Sequence, residues 1–456
     1  MAVGSRNKHS ADMSRRSSEA VSPELVFETR LYSKVTWRLM PFLFLCYVFA
    51  YLDRVNVGFA KLQMQQDLRI SDAVYGAGAG IFFIGYFLFE VPCNLMLQRI
   101  GAKRWLGPIM IIWGVVSACN IFIRDTRTFY ALRFSLGVVE SGFFPGVILY
   151  LTFWFTFRYR PRMLAVFLTA IPVSSVIGAP ISGWILKAMS TAGGLRGWQW
   201  LLVLEAVPSI IAGVAALVFL DDGPRTAKWL SEEERAFLVA RLEEDQALKQ
   251  TNPQAKHTMR DAFSSPACWL MCAIYFGLVM GNYGLAFWLP QIVKDSLTKD
   301  PLLIGFLTAI PWGCGVIAML VVGHHSDRTG ERRWHIALTG ALGAAAFACS
   351  AFPQLPGALV LAALAVATAG ITASYSTFWA LPSTLLSGTA ASAGIALVNS
   401  VGNLAGYCSP YLVGLLRDKT HSMVPALLML AACCLASAVL TVIGFRERRS
   451  DGVAVV

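Results

Sequence analysis

Apolar residues occur in this sequence as long runs, and that feature limits the possible fold more than any other. One run, WRLMPFLFLCYVFAYL at 37–52, contains a single charged side chain, Arg38. A helix needs about 20 apolar residues to cross a bilayer, whereas a membrane barrel shows segments of about ten residues that alternate in polarity. Only 14% of the residues are charged, against about a quarter in soluble domains. The runs therefore predict a polytopic membrane protein built from helices.

Twelve such runs can be separated, in two groups of six. We expect an all-α protein with twelve transmembrane helices in two pseudo-symmetric six-helix bundles and a central cavity between the halves. The expected spans are 37–59, 72–97, 105–123, 128–157, 163–187, 198–220, 264–293, 302–325, 334–352, 357–380, 389–416 and 422–445. The expected divisions are a cytoplasmic N-terminal tail (1–36), an N-terminal bundle (37–220), a cytoplasmic linker (221–262), a C-terminal bundle (263–445) and a cytoplasmic C-terminal tail (446–456). Ser231 and Glu234 have capping-box spacing, which predicts a short helix in the linker.

Positive charge sets the expected orientation. Lys and Arg are more frequent in short loops on the side of the N-terminus, such as RIGAKR at 99–104 and RYRPR at 158–162, than in loops on the other side. The positive-inside rule then places both termini in the cytoplasm of a multi-pass protein of the inner or plasma membrane. The same excess accounts for the net charge of +11, so we expect a lipid bilayer and no nucleic acid as partner. We also expect a monomer.

An internal repeat links the two halves. QRIGAKRW at 98–105 recurs as DRTGERRW at 327–334, and YLTFW at 150–154 recurs as YSTFW at 375–379. Two matches in similar register at about half the chain length indicate a duplication. Duplicated membrane bundles are typical of transporters that bind their substrate between the repeats. The first match, at an offset of 229 residues, also aligns Asp53 with Asn282.

Charged residues that lie well inside the spans are confined to the first half of the chain. The six are Asp53, Arg54, Glu90, Arg133, Glu140 and Glu205. An intramembrane charge costs about 2.5–3.5 kcal/mol on insertion scales, so each is expected to have a partner or a function. One interpretation is a set of ion pairs that joins helices, although buried pairs add little net stability compared with apolar residues. The other is anion capture with proton coupling.

The residue types suit anion capture and proton transfer. The planar fork of arginine binds a carboxylate through two hydrogen bonds, but arginine stays charged and cannot carry the proton. A carboxyl group can carry it, and its affinity for the proton depends on burial and on a nearby arginine. Arg133 and Glu140 are two helical turns apart and share a face, whereas the adjacent Asp53 and Arg54 point about 100° apart.

Several motifs resemble known families. GHHSDRTGERR at 323–333 resembles the loop signature of the major facilitator superfamily, although the first-half copy has Gln98 and Asn94 where an acid and a glycine are usual. YLDRVNVGFA, GIFFIGYFLFEVPCNLML and ALRFSLGVVESGFFPG resemble the anion:cation symporter family, and within it the bacterial permeases for tartrate, hydroxyphenylacetate, phthalate and galactonate. The resemblance implies a gating loop formed by Asp327, Arg328, Gly330, Arg332 and Arg333, with Gly101 and Arg104 in the first half.

The resemblance also implies individual roles. Asp53 and Glu140 correspond to protonation sites, Arg54 to the ligand of the substrate anion, Arg133 to a partner of the acids, and Tyr86 to a residue that lines the pocket. Glu90 is expected either to line the pocket or to form a coupling ion pair with a loop arginine, and Glu205 to be a structural partner. His324 and His325 are expected to form a gate or loop hydrogen bond. The second half is expected to supply neutral substrate contacts from Asn282, Trp288, Ser374, Trp379, Asn399 and Asn403.

These observations predict a proton-coupled symporter that imports a small organic carboxylate by alternating access. The carboxylate is expected to be a sugar acid, a tartrate-like acid or an aromatic acid, with H⁺ as the coupling ion and no other cofactor. No metal-binding cluster or nucleophile–base pair is evident, so we expect neither a metal site nor an enzyme. One alternative is a proton-antiport exporter of organic anions or drugs, because GAPISG at 178–183 partly resembles an antiporter signature. Another is a membrane sensor that does not transport.

Overall fold

The computed structural model describes residues 23–190, 192–250, 264–381 and 388–445. The predicted tails before residue 23 and after residue 445, and residues 251–262 of the predicted linker, lie outside this part. The α-helices, in chain order, are α1 Pro23–Val55, α2 Val57–Leu68, α3 Asp72–Ile100, α4 Ala102–Ala118, α5 Thr126–Glu140, α6 Phe143–Thr152, α7 Arg160–Leu168, α8 Ala170–Ala188, α9 Gly197–Phe219, α10 Glu232–Gln250, α11 Pro266–Ser296, α12 Pro301–Thr329, α13 Arg333–Ser350, α14 Gly357–Phe378, α15 Gly388–Thr420 and α16 Val424–Gly444. Two short 3₁₀ helices, Cys119–Phe122 and Pro224–Thr226, follow α4 and α9.

The helices confirm the predicted class of an all-α polytopic membrane protein. Among the described residues, ten helical stretches are long and apolar enough to cross a membrane, and α13 and α15 stand where the ninth and eleventh spans were expected. Three spans consist of two helices each: α1 and α2 form the first, α5 and α6 the fourth, and α7 and α8 the fifth. The first is interrupted at Asn56 and the fourth at Ser141 and Gly142.

The two halves pack along two pairs of helices, α3 with α15 and α8 with α12. Glycines allow the backbones to approach closely in both pairs. A Cβ atom on Gly76 of α3 would stand 2.1 Å from the carbonyl oxygen of Pro410, and one on Gly305 of α12 would stand 2.4 Å from that of Ala179. Such contacts are shorter than any side chain tolerates, so these crossings require glycine. Small residues commonly serve this purpose where membrane helices meet.

The linker helix α10 is attached to the first half. Its start is a capping box, in which Ser231 and Glu234 exchange hydrogen bonds of 2.9 and 3.1 Å between side chain and backbone. Lys34 forms an ion pair of 2.6 Å with Glu234, and Arg160 forms one of 3.2 Å with Asp245. We call the end of the molecule that carries α10 the linker face. The opposite end, where α3, α5 and α12 begin, is the distal face.

Candidate functional site

A buried ion pair joins two of the interrupted spans. Arg54, near the end of α1, donates two hydrogen bonds to Oε1 of Glu140, the last residue of α5, and the one from Nε measures 3.0 Å. Their exposed fractions are 7% and 1%. Because both groups are withdrawn from water, the charge of Glu140 depends on its pairing with Arg54.

The pair leaves one oxygen of Glu140 without a partner, and it leaves Arg54 a donor for the second half. Oε2 of Glu140 is buried and has no hydrogen-bond partner among the described residues. Arg54 uses Nη1 to reach the hydroxyl of Tyr283 on α11, at 3.3 Å, so it also bridges the two halves of the protein. The guanidinium carbon lies 5.1 Å from the ring centre of Phe82 and 5.4 Å from that of Tyr86, both on α3. Arg54 is thus placed where the two halves meet.

Asp53 points away from its neighbour and into the first half. Its carboxylate accepts hydrogen bonds from Ser209 on α9 at 2.5 Å, from Ser117 at 2.7 Å and from the indole of Trp113 at 3.2 Å, both on α4. Its exposed fraction is 0%. The angular difference expected from the sequence therefore separates the two charges into different environments. The three donors were not identified from the sequence, because their spans give no sign of being neighbours of Asp53.

Arg133 and Glu90 differ from the expected ion pairs. Arg133 donates to two backbone carbonyl oxygens, that of Arg54 at 3.0 Å and that of Ala79 at 3.5 Å. The acids do not need it, because Glu140 is bound by Arg54 and Asp53 by neutral donors. Arg133 instead holds the end of α1, and so positions Arg54. Its Nε is buried and without a hydrogen-bond partner among the described residues.

Glu90 lies between the halves and contacts amides instead of a loop arginine. Its Oε1 accepts a hydrogen bond of 3.1 Å from Asn399, and its Oε2 accepts one of 3.5 Å from Asn403, both on α15. All three residues are half-buried. We call the boundary between the two halves on which Arg54, Glu90, Asn399 and Asn403 lie the cleft, and Tyr86 lies there beside Arg54. Within the second half, the hydroxyls of Tyr275 and Tyr375 are 3.1 Å apart, and the ring centre of Trp379 is 4.9 Å from that of Tyr275.

Three of the residues expected to contact the substrate are buried within the protein instead of lying beside Glu90. Ser374 is buried between α13 and α14, where its hydroxyl lies 2.7 Å from that of Thr339, so it packs within the second half. Trp288 is fully buried near the distal face, beneath Lys61. Asn282 is buried on α11, next to the Tyr283 that receives Arg54. The periodic pattern of α11 and α14 marks these residues as polar or aromatic but does not show which side faces the cleft.

A second set of charges closes the distal face. Lys61, which the sequence places with the loops, is only 1% exposed and forms an ion pair of 2.8 Å with Asp72. Its ammonium lies 3.8 Å from the ring centre of Trp288. From the other half, Asp418 accepts hydrogen bonds from the first two amides of α3, at 3.0 and 2.7 Å. Because helix N-termini favour anions, this contact fastens α15 to α3.

Two further contacts between the halves lie at the distal face. Lys294 donates to the carbonyl oxygen of Leu62 at 2.9 Å, and Lys187 forms an ion pair of 2.6 Å with Asp300. The hydrogen bond from Lys187 holds the pKa of Asp300 below its usual value. The distal face is therefore held shut, while the half-buried side chains of the cleft lie towards the linker face.

The predicted gating loop forms a compact turn between α12 and α13. Arg332 forms an ion pair of 2.6 Å with Asp327, and Arg333 donates to the carbonyl oxygen of Val442. Gly330 and its first-half counterpart Gly101 both have positive φ angles, 69° and 90°, a conformation that glycine adopts without strain. Arg328 and Arg104 are exposed. Only the sign of φ is shared, because ψ is 154° at Gly101 and −1° at Gly330, so the two turns have different backbone conformations.

The remaining predicted residues have local partners. Glu205 accepts a hydrogen bond of 2.6 Å from Ser182 and is buried inside the first half. Nδ1 of His325 lies 2.7 Å from Nε2 of His335, and Nδ1 of His335 lies 2.6 Å from Glu331. His325 therefore takes part in a loop hydrogen bond. His324 is exposed.

Comparison with known proteins gives the same architecture. Residues 43–410 match the model of the Major Facilitator Superfamily. A "Putative tartrate transporter" of Agrobacterium vitis is 46% identical over 418 residues, which cover 91% of each protein. A "Quinolone resistance transporter" of Acinetobacter baumannii is 39% identical, over 92% of this chain and 96% of its own. The xylose transporter XylE from E. coli, in a partially occluded inward-open conformation, superimposes with a TM-score of 0.71 at 14% identity, covering 90% of this chain and 99% of XylE.

Proposed function

Because the chain belongs to the major facilitator superfamily, a family of transporters and not of enzymes, we propose that it carries a small organic carboxylate across the membrane together with protons. The observation that carries the proposal is the Arg54–Glu140 pair. The arginine stands between the two halves, and the chain's own carboxylate occupies the position that a substrate carboxylate would take. A substrate therefore competes with Glu140 for the same guanidinium.

Competition at Arg54 supplies the coupling. When a substrate carboxylate displaces Glu140, the displaced side chain remains buried without its cation. A buried charge of that kind is strongly disfavoured, so Glu140 takes up a proton. Its unpartnered Oε2 offers a place for the proton. The loaded site then holds one anion and one proton, and neither is bound well without the other.

Asp53 and Arg133 support this exchange in different ways. Asp53 is the second proposed protonation site, since its hydroxyl partners Ser117 and Ser209 can either donate to a carboxylate or accept from a carboxylic acid. Arg133 keeps the end of α1 in place while the partner of Arg54 changes. Proton chemistry is thus proposed for the first half, and neutral substrate contacts for the second.

We place the linker face in the cytoplasm, with both termini there, in the inner or plasma membrane of the cell. In this orientation the distal charges close the site on the outer side and the cleft faces the cytoplasm. Alternating access then requires that the contacts of Lys61, Asp418 and Asp300 separate and that contacts on the linker face replace them.

The substrate is proposed to be a sugar acid, a tartrate-like acid or an aromatic acid. The relative named as a tartrate transporter supports an organic acid, and Tyr86 and Tyr283 beside Arg54 would suit a compact acid with hydroxyl or ring contacts. A second candidate is export by proton antiport. The relative named as a quinolone resistance transporter favours it, as does the GAPISG stretch at 178–183.

Proteoliposomes with an imposed proton gradient separate the two candidates. Symport accumulates a labelled carboxylate from the acidic side, whereas antiport moves it towards that side. A thermal-shift screen of carboxylates on purified protein would supply the substrate. Arg54→Ala should abolish the shift, whereas Arg127→Ala, an exposed arginine at the start of α5, should keep it. If no carboxylate shifts the wild type more than Arg54→Ala, or if Asp53→Asn and Glu140→Gln both keep proton-driven uptake, the proposal is wrong.

A further inference from the structure

Three side chains at the linker face, where α12 ends, form a chain of hydrogen bonds that the proposed transport cycle does not use. Nδ1 of His335, in the first turn of α13, lies 2.6 Å from Oε2 of Glu331. Nε2 of the same ring lies 2.7 Å from Nδ1 of His325, near the end of α12. His325 is exposed and His335 is half-buried, so protons from the solution can reach both rings. We call Glu331, His335 and His325 the histidine chain.

Glu331 sets the direction of the hydrogen bonds in the histidine chain. Its carboxylate also accepts from the backbone N–H groups of Trp334 and His335, at 2.6 and 3.2 Å, and therefore holds the first turn of α13. A carboxylate accepts hydrogen bonds and does not donate them, so Nδ1 of His335 carries a hydrogen. Nε2 of His335 is then the nitrogen that either accepts from His325 or donates to it.

The contact between the two rings can hold one added proton but not two. A neutral imidazole has one N–H group, and a charged one has two. With both rings neutral, Nδ1 of His325 donates to Nε2 of His335. With one proton added to Nε2 of His335, the bond reverses and His335 donates to both of its neighbours. With a proton on each ring, two N–H groups and two positive charges would meet across 2.7 Å, so the contact breaks.

The other charged groups of this region are engaged elsewhere or exposed. Arg332 pairs with Asp327 at 2.6 Å, and Arg333 donates to a backbone carbonyl of α16. Two more, which are exposed, are His324 and Arg328. Among the helices that pack against α12 and α13 in the part of the chain that the structure describes, α14 and α16 contain no charged residue, and α8 and α11 carry theirs at the distal face. The charge of the two rings is therefore set by Glu331 and by the solution at the linker face.

The histidine chain closes the predicted gating loop at its base. His325 and His335 stand on either side of residues 327–333, and the contact between their rings fastens the end of α12 to the start of α13. Inside the loop, Ser326 donates to the carbonyl oxygen of Glu331 at 2.6 Å and accepts from Arg332 at 3.0 Å. Loss of the contact between the rings removes one of the bonds that hold the two ends of the loop together, so the loop becomes looser.

We propose that the histidine chain is a pH-sensitive switch, which keeps the gating loop ordered while the rings hold at most one added proton and releases it when both rings are charged. This inference rests on the proposed function, since the loop must take part in closing the linker face. Symport would deliver protons to that face, so release of the loop in acid would slow transport and limit further proton entry.

Exchange of labelled for unlabelled L-tartrate across proteoliposomes tests the switch. The pH is kept equal on both sides, so that no gradient acts and the orientation of the protein does not matter, and it is varied from 7.5 to 5, within the range in which histidine changes charge. His325→Asn keeps a donor near the position of Nδ1 but cannot become charged. We expect the wild-type rate to fall at least threefold relative to this variant between pH 7.5 and 5. His324→Asn, at the adjacent exposed histidine, is the matched control and should follow the wild type.

Amide hydrogen exchange provides a readout that needs no substrate. The backbone of residues 323–333 should exchange at least threefold faster in the wild type than in His325→Asn at pH 5, and at the same rate in both at pH 7.5. Comparing the two proteins at one pH cancels the intrinsic dependence of amide exchange on pH. The same comparison removes the titration of Asp53 and Glu140 from the transport measurement.

The outcomes separate this inference from the proposed function. Equal amide exchange of residues 323–333 in both proteins at pH 5, or an equal pH dependence of their tartrate exchange, overturns the switch and leaves carboxylate transport standing. If neither protein exchanges tartrate or any other carboxylate at pH 7.5, the proposed function is wrong instead, and amide exchange alone then decides whether the rings control the loop.

Discussion

Replacing Glu140 by glutamine tests the coupling most directly. The amide has nearly the same shape as the carboxylate and can still accept from Arg54 through its oxygen, but it carries no charge and cannot be protonated. Arg54 and Glu140 are 7% and 1% exposed, so water does little to weaken their interaction. The substitution should leave the substrate site assembled while it removes the group that competes with the substrate and carries the proton.

The expected size of the effect follows from the two hydrogen bonds. A hydrogen bond to a charged group contributes about 1.5–3 kcal/mol, and a neutral one about 0.5–1.5 kcal/mol. Because Arg54 keeps its charge, each of the two bonds loses only part of that difference when the acceptor becomes an amide. A total loss of roughly 1.4 kcal/mol corresponds to about a tenfold gain in substrate affinity where Glu140 is ionised. Accumulation driven by a proton gradient should be lost, whereas exchange of labelled for unlabelled substrate should continue.

Proteoliposomes allow both quantities to be measured on the same preparation. Counterflow exchange reports binding and alternating access, and uptake against an imposed pH difference reports coupling. Glu205→Gln is the matched control, because Glu205 is also buried in the first half but bonds to Ser182 and not to Arg54. Gradient-driven accumulation at the wild-type level in Glu140→Gln, with unchanged pH dependence, would refute the reasoning.

Four other substitutions test separate parts of the structure. Asp53→Asn keeps the hydrogen-bonded shape but cannot be protonated, so gradient-driven uptake should fall at least tenfold while counterflow persists; normal uptake would exclude Asp53 from coupling. Arg133→Lys has one ammonium in place of the fork that holds the carbonyl of Arg54, and should raise KM about tenfold with little change in kcat; an unchanged KM would argue against positioning. Asp418→Asn weakens the two hydrogen bonds to the first amides of α3, so hydrogen exchange at these amides should become about tenfold faster than in the wild type, while exchange in α10 stays unchanged. Equal exchange rates at these amides in the variant and the wild type would show that the charge does not hold the distal face. Gly305→Ala places a methyl group 2.4 Å from a backbone oxygen of α8 and should reduce transport severely, whereas Gly313→Ala on the same helix, with no atom within 4 Å of the new Cβ, should be tolerated; equal activities would contradict the packing argument.

Helical class and the number of spans are predictable from this sequence because insertion in a bilayer depends on the composition of each segment separately. The interruptions within spans are not. The fourth span was expected to run without a break from 128 to 157, but its regular helix is interrupted at Ser141 and Gly142, and two small residues in an apolar run give no recognisable signal. Lys61 shows the same limit: its position in the chain suggests a loop, but Asp72, on the next helix, and Trp288, from the other half, enclose it.

Some features of the site's side chains are likewise predictable from the sequence, and others depend on how the helices pack. The 100° between Asp53 and Arg54 follows from helix geometry and correctly separates their surroundings. Which donors surround Asp53 depends on the packing of α4 and α9 against α1, and that packing cannot be predicted from the sequence of any one helix. Arg133 illustrates the consequence. Its residue type suggests an ion pair, but its position beside the end of α1 gives it backbone carbonyls to bind.

The duplication explains why the second half can remain neutral. At the offset of 229 residues, Arg54 corresponds to Tyr283, and these two side chains are in direct contact, at 3.3 Å. Equivalent positions of a pseudo-symmetric pair meet only near the axis that relates the halves, so Arg54 stands at the centre of the molecule. A second arginine at Tyr283 would repel the first. A tyrosine can stay hydrogen-bonded to Arg54 whether Glu140 or a substrate carboxylate holds the guanidinium. Confining the ionisable groups to one half would therefore let Arg54, the proposed anion-binding residue, change partners while its contact with the other half persists.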